Sequence, residues 1–216
     1  MKTLFDCANP IDMKVVEVLV HHAQVRCEYD SSARYDFLPA EFLPQMEREY
    51  INFSSSDENG KFKFHSGVSL NYGKRRSVGG AVDMLYCPMK VDGHHWVGLC
   101  IDVTMCKITV LDCNLACISD EELENYLKPL AEMLPYLRCA AIGDDVDQLT
   151  RVKRFDITRL DLPFMCEIPG LSSVAAFVLM ELHATDQLLS CENFDVGNLH
   201  TAAGHYAVES LALASG

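Results

Sequence analysis

The sequence lacks any long unbroken run of apolar residues. Of its 216 residues, 49% are apolar, yet no stretch reaches the roughly 18 apolar residues that a membrane-spanning helix needs. The first residues also lack the basic segment and apolar core of a secretory signal. We therefore expect no membrane partner and an intracellular location, nuclear or cytoplasmic. The length and the apolar content fit one domain, residues 1–216, with a substantial core.

Basic residues are scarce as well. Lys and Arg number 18 against 31 Asp and Glu, so the formal net charge is −13. Nucleic-acid binding depends on clustered cations that neutralise phosphates, and the one basic cluster, residues 74–76, is short. The composition therefore predicts no nucleic-acid partner. We ascribe the excess of acidic residues to solubility.

The cysteines, 10 in number, lack the spacing of a disulfide framework or of a zinc site. No CxxC pair is present, and without a secretory signal we expect reduced, buried thiols. The nearest approach to a metal site is His94 and His95 with Cys113 and Cys117. Their spacing is looser than that of the paired ligands in zinc sites. The sequence therefore predicts no metal and no cofactor.

The apolar pattern predicts both helices and strands. Helical spacing, or a strong helix start at Ser119, predicts helices at 11–23, 38–46, from 119 onward and at 198–214. Runs of β-forming residues predict strands at 82–87 (ended by Pro88), 95–103, 107–113 and 152–160. Irregular structure is expected at 61–80 and 143–148, and a surface loop or a helix start at 54–60.

The segment 172–183 has almost no polar face. A helix that is apolar on all sides is a buried helix. We therefore predict an α+β fold, in which a mixed or antiparallel central sheet packs against this helix and is flanked by the others.

The two middle strands bring two chemically important residues together. Residues 102–107 form a connection short enough for an antiparallel hairpin, with His95 at the start of one strand and Asp112 at the end of the other. An adjacent His and Asp form the general base and the orienting group of a nucleophilic triad. The same two residues could instead be only a hydrogen-bonded pair.

Three motifs resemble the ubiquitin-like-protein-specific protease family. They are VDMLYCPM at 82–89, GHHWV at 93–97 and LDC at 111–113, and the resemblance extends over roughly 82–183. This family comprises the deSUMOylating enzymes of the papain-like clan, and the chain is most similar to its transposon-associated plant members. The resemblance implies a papain-like fold, with His95 as general base and Asp112 as its orienting group. It also implies that Trp96 clamps the Gly-Gly tail of a substrate, although Trp96 could simply be a core residue.

The third motif of the family is degenerate. The family has an upstream Gln and then Asp-Cys-Gly opening the buried helix, whereas this chain has CEIPGLSSVAAF at 166–177. The nucleophile position falls on Ser172 in one alignment and on Val174 in another, and the Gln position falls on Cys166 or Ile168. An alkoxide is harder to generate than a thiolate, and loss of one oxyanion donor lowers kcat about 100- to 1,000-fold.

We therefore predict a pseudoprotease that binds a SUMO-type or ubiquitin-like protein, or another protein partner. The alternative is an enzyme that cleaves isopeptide or peptide bonds after a Gly-Gly tail. In that case a native cysteine at position 172 has been replaced, or Ser172 or Cys166 acts with His95. Less chemical alternatives remain: Ser172 could cap the helix, and Cys166 could be a buried thiol with nothing near it to lower its pKa. Self-association through 207–214 is a third hypothesis, and the oligomeric state is not predicted.

Overall fold

The computed structural model describes residues 11–30, 32–56, 58–65, 68–70, 82–142, 153–162, 165–188 and 195–214, with the backbone alone at 142 and 209–214. The helices in these ranges are α1 (Met13–Tyr29), α2 (Phe42–Ser54), α3 (Asp120–Ile142), α4 (Ser172–Ala184) and α5 (Val196–Ala214). The strands are β1 (Tyr35–Phe37), β2 (Met84–Val91), β3 (His95–Asp102), β4 (Lys107–Leu111) and β5 (Asp156–Leu160).

The strands form one mixed sheet in the order β1-β2-β3-β4-β5. The central three strands are antiparallel, and each edge strand is parallel to its neighbour. In the connection between β2 and β3, Asp92 has φ 47° and Gly93 has φ 70°, the positive values that tight hairpin turns require. The predicted α+β class with a mixed central sheet is confirmed.

Both faces of the sheet are covered, which explains why β3 is apolar almost throughout. Trp96 and Cys100 face a core that contains α4, while Val97 and Leu99 face the core that contains α3. Gly98 lets α4 approach β3 closely, since a Cβ on it would lie 2.7 Å from Met180 Cγ and 3.0 Å from the Ala176 carbonyl oxygen. The close approach places the start of α4 beside the start of β3.

Several predicted boundaries are wrong. Strand β2 continues through Pro88, because β1 pairs only with Met84 to Tyr86. At Pro88, β2 is paired with β3 through Gly98 but has no partner on its β1 side, and a strand tolerates proline at such an edge position. The helix predicted at 38–46 begins at Phe42, and β1, only three residues long, gave no recognisable pattern. Strand β5 begins at Asp156 rather than at residue 152.

Three further predictions concern the cysteines, the two charged segments and membrane-spanning helices. Within the described ranges the cysteines are reduced thiols, and six of the eight are buried, as expected. The basic cluster 74–76 and the acidic segment 143–148 lie outside the described residues. Of the helices searched in the described part, none is long and apolar enough to span a membrane.

Candidate active site

His95 and Asp112 form a buried pair, as the sequence predicts. His95 is the first residue of β3, and Asp112 directly follows β4. Because these strands are antiparallel neighbours, the two side chains meet: His95 Nε2 lies 2.7 Å from Asp112 Oδ1. His95 is 3% exposed and Asp112 is 1% exposed. The pair has the geometry of a general base and its orienting carboxylate.

Arg159 on β5 completes this pair, and sequence reasoning missed it. Its Nη2 donates to Asp112 Oδ2 at 2.6 Å, and its Nη1 donates to the Ile118 carbonyl oxygen at 2.9 Å. The backbone N–H of Asn114 donates to Asp112 Oδ1 at 2.8 Å. A basic residue within a short strand was the only signal, and it does not reveal which carboxylate the arginine meets.

The surroundings of Asp112 keep it ionised. Burial raises the pKa of this carboxyl, but the hydrogen bonds from His95, the Asn114 N–H and Arg159 outweigh it, so that the pKa is lowered overall. An ionised Asp112 fixes the His95 ring and can stabilise its protonated form.

Ser172, the residue at the expected nucleophile position, has a structural role. Its Oγ accepts a hydrogen bond from the Trp96 backbone N–H at 3.2 Å and donates to the Pro169 carbonyl oxygen at 2.8 Å. Leu171 holds the N-cap position, and no side chain caps the helix, so the capping alternative is wrong. Among the described residues, the buried Ser173 Oγ has no hydrogen-bond partner. The Ser172 hydroxyl joins α4 to β3.

Trp96 lies in the core rather than on the surface. It is 1% exposed, and the Lys90 ammonium lies 5.9 Å from its ring centroid, within cation–π range. Its indole Nε1 is buried and lacks a hydrogen-bond partner among the described residues. This burial favours the core alternative, and the proposed clamp role stays a prediction.

Two thiols lie beside the His–Asp pair. The Cys166 backbone N–H donates to the Cys113 carbonyl oxygen at 2.8 Å, and the Cys166 thiol lies 3.9 Å from the Ile168 carbonyl oxygen. Interaction with the Cys113 thiol lowers the pKa of Cys166, with smaller contributions from the Ile168 backbone and from His95, while the pKa of Cys113 is raised. The expectation that nothing near Cys166 would lower its pKa is therefore wrong.

The sequence spacing pointed to His94, His95, Cys113 and Cys117 as the nearest approach to a metal site. The structure brings together a set that only partly overlaps with it. One ligand atom from each of His95, Asp112 and Cys113 lies within 4.8 Å of the others. His94 points away, with its Nδ1 2.6 Å from the Asp92 carbonyl oxygen. His95 opens β3, whereas Asp112 and Cys113 directly follow β4, so the antiparallel pairing of these strands brings the three residues together.

The chain matches a protein-family model over most of its length. The model describes the C-terminal catalytic domain of the Ulp1 protease family, and the match covers residues 11–207. No curated protein sequence matches the chain.

Solved structures share this fold at low identity. The Ulp1 protease domain in complex with Smt3, the yeast ortholog of SUMO, has a TM-score of 0.63 at 14% identity, covering 98% of this chain and 80% of that one. The SUMO protease Ulp1 with its catalytic cysteine oxidised to a sulfenic acid has a TM-score of 0.64 at 14% identity, covering 99% and 82%. A Chaetomium thermophilum Ulp1-like SUMO protease catalytic domain has a TM-score of 0.53 at 12% identity, covering 94% and 72%. The likeness establishes the fold.

Proposed function

The chain belongs to the Ulp1 protease family, and from this we propose that it is a pseudoprotease that binds a SUMO-type ubiquitin-like protein. The observation that carries the proposal is the position of Ser172. Its hydroxyl donates to the Pro169 carbonyl oxygen, whereas a nucleophile must give its proton to a general base. The single domain 1–216 and a nuclear or cytoplasmic location belong to the same proposal.

The oxyanion position supports the loss of activity. Six residues before Ser172, where the family has its Gln, this chain has Cys166. A thiol is a weak hydrogen-bond donor, and this one faces the Ile168 carbonyl oxygen at 3.9 Å. A missing oxyanion donor lowers kcat about 100- to 1,000-fold, in addition to the loss of the thiolate nucleophile.

The burial of the site also supports a binding role without cleavage. His95 is 3% exposed, and Trp96 and Ser172 are each 1% exposed. A Gly-Gly tail would have to displace packed side chains before it reached His95. The surface outside this site would therefore carry the contact with a partner.

The proposed partner class comes from the family. A related Ulp1 domain was solved in complex with Smt3, the yeast ortholog of SUMO. The retained fold supports a similar contact here, and the identity of the modifier is part of the proposal.

Calorimetry and a cleavage assay test the proposal together. The full chain is titrated with an intact SUMO-type protein and with the same protein lacking its Gly-Gly tail, and ubiquitin is titrated in parallel. We expect the intact and truncated forms to bind with Kd values within about threefold of each other, a difference of less than about 1 kcal/mol, because the buried site gives the Gly-Gly tail no contacts to add. Cleavage of a fluorogenic C-terminal substrate, or the absence of any binding, would contradict the proposal.

A cysteine peptidase that uses Cys166 is the second candidate. The lowered pKa of Cys166 and the nearby His95 favour it, because the thiolate is the reactive form of cysteine. A ubiquitin-like protein carrying a C-terminal electrophile separates the candidates. An adduct that persists in Ser172→Ala but disappears in Cys166→Ala would establish the peptidase, and the pseudoprotease proposal predicts no adduct.

A further inference from the structure

A cavity of about 470 Å³ lies between the last turns of α1 and α4, with β1 as its third wall. We propose that this cavity binds a small organic cation, a protonated primary amine on an apolar body, with its ammonium group between Asp30 and Glu181 and its body against Tyr35. The inference does not depend on the proposed function, because His95 and Ser172 lie beside the opposite end of α4.

The cavity has the size and the lining of a small-molecule site. Such sites commonly enclose about 300 to 1,000 Å³ and combine apolar walls with a few polar groups. A second cavity of about 420 Å³ shares Asp30, Tyr35 and Thr185 with the first, which gives a bound molecule room to extend. The apolar walls of the first cavity come from Ala23, Cys27, Phe37, Val178 and Leu182.

The last turns of two helices converge on the cavity. Helix α1 ends at Tyr29 and α4 ends at Ala184, and both contribute residues of their last turns to the lining. The C-terminal end of a helix carries roughly half a negative charge, which favours a cation nearby. Asp30, the C-cap of α1, adds a full negative charge at this place. His183 in the last turn of α4 does not offset it, since burial lowers its pKa and the ring is neutral at pH 7.

The charges that line the two cavities sum to one negative charge. Arg26 pairs with Glu181 across the first cavity. Arg34 pairs with Asp83 in the second cavity, where its Nη2 donates to Asp83 Oδ1 at 2.7 Å. Asp30 lines both cavities as the third carboxylate. One bound monocation neutralises the set, whereas an anion would increase the excess and compete with a carboxylate for its arginine.

The two carboxylates that would hold the ammonium group are already held in place. Asp30 Oδ1 accepts from the Ser32 backbone N–H at 2.9 Å and from the Ser32 hydroxyl at 2.6 Å. Glu181 Oε1 accepts from Arg26, and its Oε2 accepts from the Tyr206 hydroxyl at 2.6 Å. Each carboxylate oxygen has two lone pairs, so these bonds can persist when an ammonium group donates to the same carboxylates. Fixed acceptors favour affinity because less ordering is needed on binding.

The Tyr35 ring offers the body of the ligand an aromatic wall in a negative field. Burial raises the pKa of the Tyr35 phenol, and Cys27, Asp30 and Glu181 raise it further, against a smaller lowering by Arg26. The same field that disfavours a phenolate favours a cation. An aromatic face also attracts an ammonium group directly when the two lie within about 6 Å.

Three matched small molecules test the site. The full chain is titrated by calorimetry with 2-phenylethylamine, with the neutral 2-phenylethanol and with the anion 3-phenylpropionate. The titrations are made at pH 7 and about 0.15 M salt, where distant surface charges are screened. We expect the amine to bind at one site per chain with a Kd below about 1 mM. The alcohol should bind about 10- to 100-fold more weakly, the ratio that one charge-assisted hydrogen bond contributes, and the anion should show no binding.

Matched variants locate the ammonium group. Asp30→Asn and Glu181→Gln should each weaken amine binding at least about 10-fold. Asp156→Asn is the control, because it removes one negative charge at β5, on the opposite edge of the sheet, and should leave the Kd unchanged. Circular dichroism checks that each variant is folded. The amine at about 100 times its Kd should raise the Tm of the unmodified chain, a readout that needs no variant.

Four results would overturn the proposal. The first is the absence of saturable amine binding by the unmodified chain. The second is equally tight binding of the neutral alcohol, and the third is an equal loss in Asp156→Asn, which would show general attraction to an acidic protein. The fourth is tighter binding of a capped lysine amide than of 2-phenylethylamine, which would assign the site to a side chain of a protein partner. These titrations use no ubiquitin-like protein, so failure here leaves the proposed function unaffected.

Discussion

The two ends of α4 are built differently. At the N-terminal end, Ser172 and Ser173 are each 1% exposed, and the Ser173 hydroxyl and the Trp96 indole N–H have no partner among the described residues. At the C-terminal end, Glu181 accepts from Arg26 and from Tyr206, and His183 Nδ1 lies 2.8 Å from the Tyr86 hydroxyl. The N-terminal end is buried, but two of its polar groups lack hydrogen-bond partners within the described part of the chain. At the C-terminal end, Glu181 and His183 both have hydrogen-bond partners.

The two ends of α4 also differ in the open space beside them. A cavity of about 470 Å³ lies beside the C-terminal half of α4, lined by Val178 and Glu181 of that helix, by Tyr35 of β1 and by residues of α1. His95, Asp112 and Ser172, to which the family resemblance assigns chemistry, lie at the opposite, closed end. Buried polar groups without partners are unfavourable, so the N-terminal end gains less from hydrogen bonding than the C-terminal end. A buried His–Asp pair by itself therefore does not establish activity.

Restoring the chemistry of the N-terminal end should have the largest effect. Ser172→Cys alone should give no more than trace hydrolysis of a fluorogenic SUMO C-terminal substrate, because the oxyanion donor is still missing. Adding Cys166→Gln to Ser172→Cys should raise kcat about 100- to 1,000-fold over the single variant, the contribution of one such donor. Adding His95→Ala should remove the gain.

The single variant also tests the history of the site. Full activity in Ser172→Cys would mean that one serine accounts for the whole loss of function. That result would favour the alternative in which a native cysteine was replaced.

Breaking the ion pair that faces the N-terminal end should have the next largest effect. Asp112 is fully buried, and Arg159 is 11% exposed. Arg159→Leu leaves this carboxylate without its cation, which typically destabilises a protein by about 3 to 5 kcal/mol. Urea unfolding measures the change. Arg154→Gln is the matched control, because its pair with Glu124 is 50% and 53% exposed, and exposed pairs contribute less than about 1 kcal/mol.

The sequence was sufficient to predict the α+β class, the hairpin and the His95–Asp112 contact. The reason is physical: strand alternation and a short connection fix which residues of an antiparallel pair are neighbours. The resemblance to the protease family was confirmed by the family match. These features depend on local pattern.

Other features depend on contacts between distant segments, and no local pattern encodes them. Arg159 reaches Asp112 from a strand 47 residues away, and Cys166 meets Cys113 only because α4 packs on β3. Pro88 appeared to end a strand, although β2 continues past it, paired with Gly98 of β3 on one side and beyond the end of β1 on the other. The catalytic, clamp and domain assignments stay predictions.

A larger side chain at Gly98, where β3 touches the middle of α4, tests how much the stability depends on close packing between this helix and the sheet. A Cβ at Gly98 would lie 2.7 Å from Met180 Cγ and 3.0 Å from the Ala176 carbonyl oxygen. Gly98→Ala should therefore destabilise the chain by about 1 to 3 kcal/mol, the usual effect of overpacking. Gly204→Ala on α5 is the control, since a Cβ at that position would meet no atom within 4 Å, and alanine favours a helix by up to about 1 kcal/mol. Equal unfolding midpoints for the two variants would contradict the close packing.

The smallest expected effect is the pH dependence of the stability, through His183 at the C-terminal end of α4. Burial lowers the pKa of His183, so below the unfolded-state value of about 6.5 the unfolded chain binds more protons than the native one. The stability is therefore present at neutral pH and is lost as the pH falls through about 6.5 toward the folded-state pKa. His183→Gln should reduce the slope of the urea midpoint against pH between about 5 and 7. Tyr86→Phe removes the hydroxyl that bonds His183 but keeps the ring, so the slope should remain, and an unchanged slope in His183→Gln would contradict the assignment.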